Sequence, residues 1–198
     1  MMRGIIKYTI IGGIVGASVL NTVARVEALP GQTIGEVETW IKAHPTLRPG
    51  RGERLTVRKG ERPTQRFVFE ASVFSPGRIT SGSSGLIRSE KLEFYDEVEG
   101  VDGERLVEAL RIIYGVDIYQ DYQRGRVIYT YPTAEQIERS RKEKKPLLEA
   151  RKGELRVGER FAYWVEVAQP ETGKAVTGRL IVFLKDDIDD IEKELRSR

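Results

Sequence analysis

Residues 114 to 132 carry the strongest structural signal in this chain and read YGVDIYQDYQRGRVIYTYP. Five of the eight tyrosines of the protein fall within this stretch. Two runs of residues that favour β-strands, 116–122 and 126–131, flank Gly125, which can adopt the positive φ of a tight turn. The pattern predicts a β-hairpin.

The register of this hairpin determines which side chains face the core. With a two-residue loop at 124–125, one face is aromatic and aliphatic and the other is polar, as burial of one sheet face requires. A three-residue loop at 123–125 mixes the two classes, although turn chemistry alone allows both. The first register places Ile118, Tyr122, Val127, Tyr129 and Tyr131 inward and Asp117, Tyr119, Asp121 and Arg126 outward.

The tyrosines of the predicted hairpin have two interpretations. Core packing is favoured, because aromatic side chains are large core formers. The alternative is a recognition surface that stacks on a sugar or binds a partner protein. On that alternative the candidate binding residues are Tyr119, Asp117, Asp121, Arg126, Tyr122, Tyr129 and Tyr131.

The first 28 residues have the pattern of a secretory signal peptide, with a short positive region, an apolar run at 8–20 and a cleavage point after Ala28. The 13 apolar residues are fewer than the roughly 20 that a membrane-spanning helix needs. Cleavage is therefore favoured. An uncleaved anchor is the alternative, because the run extends to Ala24 if two polar residues are accepted.

Composition narrows the possible functions. The net charge of +3 falls to +1 without the first 28 residues, since 30 basic and 29 acidic residues then remain, and such a balance argues against nucleic acid as a partner. The absence of cysteine excludes disulfides, thiol catalysis and thiolate metal sites. An acidic cluster at 186–192 could attract Ca²⁺, but acidic residues are also expected in the first turn of a helix, where the helix dipole favours negative charge. We predict no metal site and no cofactor.

No catalytic motif is visible in the sequence. His44, the one histidine, ends a predicted helix, where the helix dipole favours it structurally. Asp117 and Asp121 would be about 13 Å apart on a strand, whereas a glycosidase pair needs about 5 to 9.5 Å. A carboxylate from elsewhere, such as Glu93 or Glu166, could still pair with one of them. We therefore predict no catalytic residue, and a hydrolase remains an alternative.

The remaining sequence predicts an α+β fold in one domain, residues 29–198. We expect an antiparallel sheet of about five to seven strands with three or four helices, two or more of them packed on one face. The chain also contains a basic arm at 42–66 with a local net charge of +6 and a polar connector helix at 133–146. Further helices are predicted at 34–43, 102–114 and 187–195, and further strands at 55–58, 66–75, 86–95, 161–167 and 176–184.

Three segments carry a resemblance to a known group: LPGQT at 29–33, WIKAHPTLRP at 40–49 and RLVEALRIIYGVDIYQDY at 105–122. In these segments the chain resembles exported cyanobacterial proteins of unknown function, over about residues 29–132. The resemblance implies a setting in the cell envelope or the thylakoid lumen. It implies no activity and no site residues.

These observations predict an exported, non-enzymatic protein of the periplasm or thylakoid lumen. It would bind an unidentified protein or glycan partner, or have a structural role in the envelope. One alternative is a carbohydrate-directed binding protein or a carboxylate-based hydrolase. Another, which requires an uncleaved leader, is a membrane-anchored subunit of a complex.

Overall fold

The computed structural model describes residues 29–78, 85–170 and 173–198 of the chain. These residues contain seven strands: β1 (Thr56–Arg62), β2 (Gln65–Ser72), β3 (Ser89–Asp96), β4 (Arg126–Tyr131), β5 (Arg151–Val157), β6 (Ala162–Ala168) and β7 (Thr177–Phe183). They also contain six α-helices: α1 (Ile34–Ala43), α2 (Gly103–Tyr114), α3 (Val116–Arg124), α4 (Ala134–Lys142), α5 (Pro146–Ala150) and α6 (Ile188–Ser197). The α+β prediction and the strand number are confirmed, with six helices in place of three or four.

All seven strands form one antiparallel sheet in the order β1-β2-β3-β7-β6-β5-β4. The chain builds it as two meanders, β1 to β3 and β4 to β7, which join where β7 pairs with β3. Because β4 lies at the far edge, α2 and α3 cross one face of the sheet on the way from β3 to β4. We call this face the front face.

The front face carries the larger of two hydrophobic clusters. Strand residues such as Phe69, Leu92 and Leu180 pack there against Val37 and Ile41 of α1, and against α2 and α3. The opposite face, the back face, holds a smaller cluster. It includes Trp164 and Phe183 from the sheet and Ile191 and Leu195 from α6. Helices therefore pack on both faces, because β6 and β7 present apolar side chains on both sides.

Local capping explains the helices that the sequence predicted correctly. Thr33 accepts a hydrogen bond from the N–H of Glu36, whose side chain accepts one from the N–H of Thr33, which completes the capping box of α1. Asp102 accepts from the N–H of Arg105 at 2.8 Å and starts α2. Gly115, with φ of 85°, ends that helix.

The predicted hairpin is wrong in its first half. Residues 116–124 form α3, and only the second half, β4, is a strand. Ile118, Asp121 and Tyr122 are buried at helical spacing, three and four residues apart. The predicted inward residues Ile118, Tyr122, Tyr129 and Tyr131 are indeed buried.

Three positions differ from the predicted hairpin register. Val127 was expected inward and is 40% exposed. Asp121 was expected outward and is buried, because the helix turns it towards the sheet. Tyr119, also expected outward, is half-buried. Asp117 and Arg126 are exposed as predicted.

The predicted connecting segments contain more regular structure than expected. The strand predicted at 55–58 in the basic arm is the longer edge strand β1, and the unpredicted strand β5 lies between β4 and β6. In place of one connector helix at 133–146, α4 begins with a capping box at Thr133, and a second short helix, α5, begins at Pro146. Both edge strands have register shifts, in β1 between Lys59 and Arg62 and in β4 between Val127 and Tyr129.

The predicted signal peptide, residues 1–28, lies outside the described residues, as do positions 79–84 in the connection between β2 and β3. Within the part that the structure describes, no helix is long and apolar enough to cross a membrane.

Gly153 provides a test of the back-face packing. Tyr131 is its partner on β4, and a Cβ at this position would lie 2.5 Å from the Tyr131 hydroxyl oxygen. We expect Gly153→Ala to lower the free energy of unfolding by about 3 kcal/mol in urea denaturation, since the backbone and the ring must both move. Gly103→Ala is the control, because that Cβ meets nothing within 4 Å. Equal stability of the two variants would contradict this packing.

Candidate functional site

An open groove of about 1110 Å³ lies on the front face, beside the area that α2 covers. α2 packs on β3, β7 and β6, so it leaves the front of β4 and β5 uncovered, although Tyr122 of α3 contacts β5. Thr130, Glu154 and Val165 contribute to the floor, and α2 and α3 form one wall with Val107 and Tyr119. The crossover path of the chain therefore creates the groove.

A fixed polar cluster joins α3 to the groove floor. The Tyr122 hydroxyl donates to Glu154 Oε1 at 2.8 Å, and Arg156 Nε donates to the same oxygen at 3.1 Å. The Arg156 guanidinium also lies 4.6 Å from the centre of the Tyr122 ring. Burial and the Glu154 carboxylate raise the pKa of Tyr122, so the phenol stays a neutral donor. The cluster gives the groove a preformed floor.

The wall formed by α2 carries two carboxylates on one helical face, Glu104 and Glu108. Glu108 accepts from Arg111 Nε at 2.9 Å, and this hydrogen bond lowers the pKa of Glu108. Glu104 and, on the floor, Lys152 make no hydrogen bond or ion pair with other described residues. A ligand in the groove would meet both of these charges together with an apolar strip that includes Val107 and Val165.

Three of the seven candidate binding residues border this groove, namely Tyr119, Tyr122 and Tyr131, although the Tyr131 hydroxyl is directed to the back face. Tyr122 is 6% exposed, so only its edge is available to a ligand. Tyr119 is half-buried and presents more of its ring. Asp117, Asp121, Arg126 and Tyr129 do not line the groove.

Asp121 connects α3 to the turn between β5 and β6. Its Oδ1 accepts the backbone N–H groups of Glu159 at 2.8 Å and Arg160 at 3.1 Å, and its Oδ2 accepts that of Phe161 at 3.3 Å. The Tyr163 hydroxyl donates to Oδ2 at 2.6 Å. These donors occupy the carboxylate, and its role in this structure is to hold the turn against α3.

Tyr129 and Tyr131 direct their hydroxyls to the back face. Tyr129 donates to Gln136 Oε1 at 3.0 Å. Tyr131 donates to Glu166 Oε2 at 2.6 Å and accepts from Trp164 Nε1 at 2.6 Å. Glu166 also forms ion pairs with Arg179 at 2.8 Å and Arg198 at 3.4 Å. Glu166 is therefore engaged on the back face and does not pair with Asp117 or Asp121.

His44 occupies a structural position at the end of α1. Its Nδ1 accepts the N–H groups of Thr46 and Leu47, both at 3.2 Å, so Nε2 carries the hydrogen that it donates to Ile113 O at 3.0 Å. Burial lowers the pKa of His44, which favours this neutral form. Across residues 29–78, 85–170 and 173–198, no group of three His, Asp or Glu side chains is placed to hold a metal ion.

Sequence reasoning missed most of the groove, notably Glu104, Lys152, Glu154 and Arg156. One signal was available, because Glu154 and Arg156 alternate with the core residue Leu155 and so belong to the opposite face of a strand. The approach of α2 to that face is not visible in the sequence.

Comparison of the chain with protein-family models, with curated proteins and with solved structures finds no match. The resemblance to exported cyanobacterial proteins therefore stays an expectation from the sequence. The candidate site rests on its own geometry.

The roles of the two aspartates of α3 can be separated by mutation. We expect Asp121→Ala to lower the free energy of unfolding by about 3 kcal/mol, because it leaves several donors without their acceptor. Asp117→Ala is the matched control on the same helix, and because Asp117 is exposed the change should stay within about 0.5 kcal/mol. Urea denaturation measures both. A stability of Asp121→Ala equal to that of Asp117→Ala would contradict the structural role.

Proposed function

We propose that the protein is exported and binds, without catalysis, an extended ligand in the front-face groove. The observation that carries this proposal is the groove itself, about 1110 Å³ of open concave surface next to a sheet face that helices otherwise cover. Its volume slightly exceeds that of typical small-molecule sites, which occupy about 300–1,000 Å³. An extended chain is therefore a better fit than a compact small molecule.

The carboxylates of the groove support binding rather than hydrolysis. A general acid needs a carboxyl group that holds a proton near neutral pH. Burial raises the pKa of Glu90 to about 7, but Glu90 lies in the front-face core, outside the groove. Within the groove, the pKa of Glu108 is lowered and Glu154 is bound by two donors.

The lining favours a polypeptide segment as the ligand. An apolar strip with one free carboxylate, Glu104, and one free ammonium group, Lys152, suits a chain of mixed apolar and charged side chains. A glycan is the second candidate. The half-buried ring of Tyr119 favours it, because an aromatic ring at the rim of a groove can stack on a sugar.

Site-specific photo-crosslinking in the producing cells tests the groove. We expect benzoylphenylalanine in place of Tyr119 to form an adduct and the same group in place of Ile112, which is 52% exposed outside the groove, to form none. Mass spectrometry then shows whether the adduct is a polypeptide or a glycan. Equal adducts from both positions, or none from position 119, would refute the proposed site.

A blocking substitution sharpens this test. Thr130 is exposed on the groove floor, so Thr130→Trp should fill the groove and reduce the adduct from position 119 at least tenfold. Thr130→Ser, which keeps the hydroxyl and the space, should leave the adduct unchanged.

A hydrolase is tested by incubating the purified protein with envelope glycans. Cleavage that is lost in Glu154→Gln would replace the binding proposal with the hydrolase.

Export is tested by the N-terminus of the protein purified from its own cells. We expect the mature chain to begin at Leu29, since the small residue Ala28 is the predicted cleavage point. Mass spectrometry of the intact protein measures this directly. Detection of Met1 or Met2 in membrane-bound material would favour the anchored subunit instead.

A further inference from the structure

Glu90 places a carboxyl group in the centre of the front-face core. The residue is fully buried, and its neighbours across the sheet are Ala71 on β2 and Val182 on β7. The next residue of β3 on the same face, Leu92, is also fully buried. Alternation in the strand therefore forces an ionisable side chain into a position that an apolar residue would otherwise occupy.

The Glu90 carboxyl has no strong partner. Neither of its oxygens has a hydrogen bond, and the buried Tyr114 hydroxyl of α2 also lacks one. The two groups lie close enough for each to affect the pKa of the other, although they fall outside hydrogen-bond geometry. No described lysine, arginine or histidine forms an ion pair with Glu90.

The elements around Glu90 supply no compensating cation. β2 and β7 present Ala71 and Val182, and β6 presents Tyr163, whose hydroxyl already donates to Asp121. α2 presents Tyr114, on which Trp40 of α1 stacks at 6.1 Å. His44, which follows α1, is neutral and directs its Nε2 hydrogen to Ile113 O.

Burial in these surroundings disfavours the carboxylate form. A buried, unpaired charge is costly, and such a group responds by holding its proton. Burial raises the pKa of Glu90 to about 7, and the Tyr114 hydroxyl opposes this rise only in part. Burial and the neighbouring Glu90 raise the pKa of Tyr114 as well, so Tyr114 remains neutral.

The position of Glu90 connects it to the groove. Tyr114 is the last residue of α2, whose N-terminal half forms the groove wall with Glu104 and Val107. After Gly115, α3 carries Tyr119 to the same wall. A change at Glu90 therefore acts on the junction of both helices that bound the groove.

We propose that Glu90 is a proton-controlled latch that holds the junction of α2 and α3 against the sheet. The neutral carboxyl lies close to Tyr114 in the buried core. Loss of the proton leaves an anion there without a cation, and its hydration requires the end of α2 to move away from β3. The latch concerns the helix junction itself, and its connection to ligand binding rests on the proposed groove function.

The direction of the pH effect follows from the raised pKa. The folded protein holds the Glu90 proton more tightly than the unfolded chain does, because the pKa of this carboxyl in the unfolded chain is the ordinary glutamate value of 4.5. The stability that Glu90 contributes is complete below about pH 4.5, falls as the pH rises and is lost above about pH 7. His44 acts in the opposite direction, because its pKa is lowered from 6.5 and protonation at lower pH destabilises the fold. The variant Glu90→Gln separates the pH effect of Glu90 from that of His44.

Hydrogen exchange of the full mature protein at pH 5.5 and pH 8.5, corrected for intrinsic rates, tests the latch. We expect amides at 110–122 to lose about tenfold or more in protection at the higher pH, since one pKa unit corresponds to a factor of ten. Glu90→Gln should abolish this loss. Glu93→Gln, on the same strand and the opposite face, should retain it. Protection that is equal at both pH values in the natural protein, or a loss that persists in Glu90→Gln, would overturn the proposal.

A second measurement keeps the test valid if Glu90→Gln does not fold. Carbon-13 NMR of glutamate carboxyls in the natural protein should show one group that titrates near pH 7. Tyr114→Phe should raise that midpoint further, because the hydroxyl that opposes the shift is removed. Titration of every glutamate below pH 5 would overturn the latch. Neither readout needs a ligand, so failure of the latch and failure of the groove are distinguishable.

Discussion

The pairing of β7 with β3 is the interaction on which the rest of the structure depends. It joins two meanders into one sheet and places Leu180 beside Leu92 at the centre of the front face. Gly178 allows this part of β7 to approach Val101 closely, since a Cβ there would lie 2.8 Å from the Val101 side chain. With β7 in this position, β4 is four strands away from β3, and the connection between them must cross the sheet. The groove is the area that this connection leaves open.

The fold class was predictable because several local signals agreed. Thr33 and Asp102 mark helix starts, Gly115 marks a helix end, and alternation marks most strands. The error at 116–122 has a specific cause. Ile118 and Tyr122 are four residues apart, a separation that puts two side chains on one face of a strand and also on one face of a helix. Burial of Asp121 together with Ile118 and Tyr122 distinguishes a helix from a strand. The sequence does not show that this aspartate is buried, because its hydrogen-bond partners lie at 159–163.

The candidate site was less predictable than the fold. Its parts come from separate regions of the chain, α2, α3 and β5, and sequence spacing says nothing about their approach. β5 itself was missed because Leu155 is its one fully buried side chain, so its hydrophobic signal is short. The burial of Glu90 was also unpredictable, since hydrophobicity alone gives no reason to place a glutamate in the core. The tyrosine cluster was informative mainly as a marker of burial, with Tyr119 as the partial exception.

The register shifts in the two edge strands affect whether sheets of different copies of this protein can pair edge to edge. A regular edge strand offers a continuous row of backbone donors and acceptors to any extended chain nearby. β1 interrupts that row near Gly60 and surrounds it with Arg58, Lys59 and Arg62, and β4 interrupts it near Ile128 and ends before Pro132. Growth of the sheet by edge-to-edge stacking would first require these irregular segments to straighten. The two edge strands of this sheet are thus poor templates for aggregation.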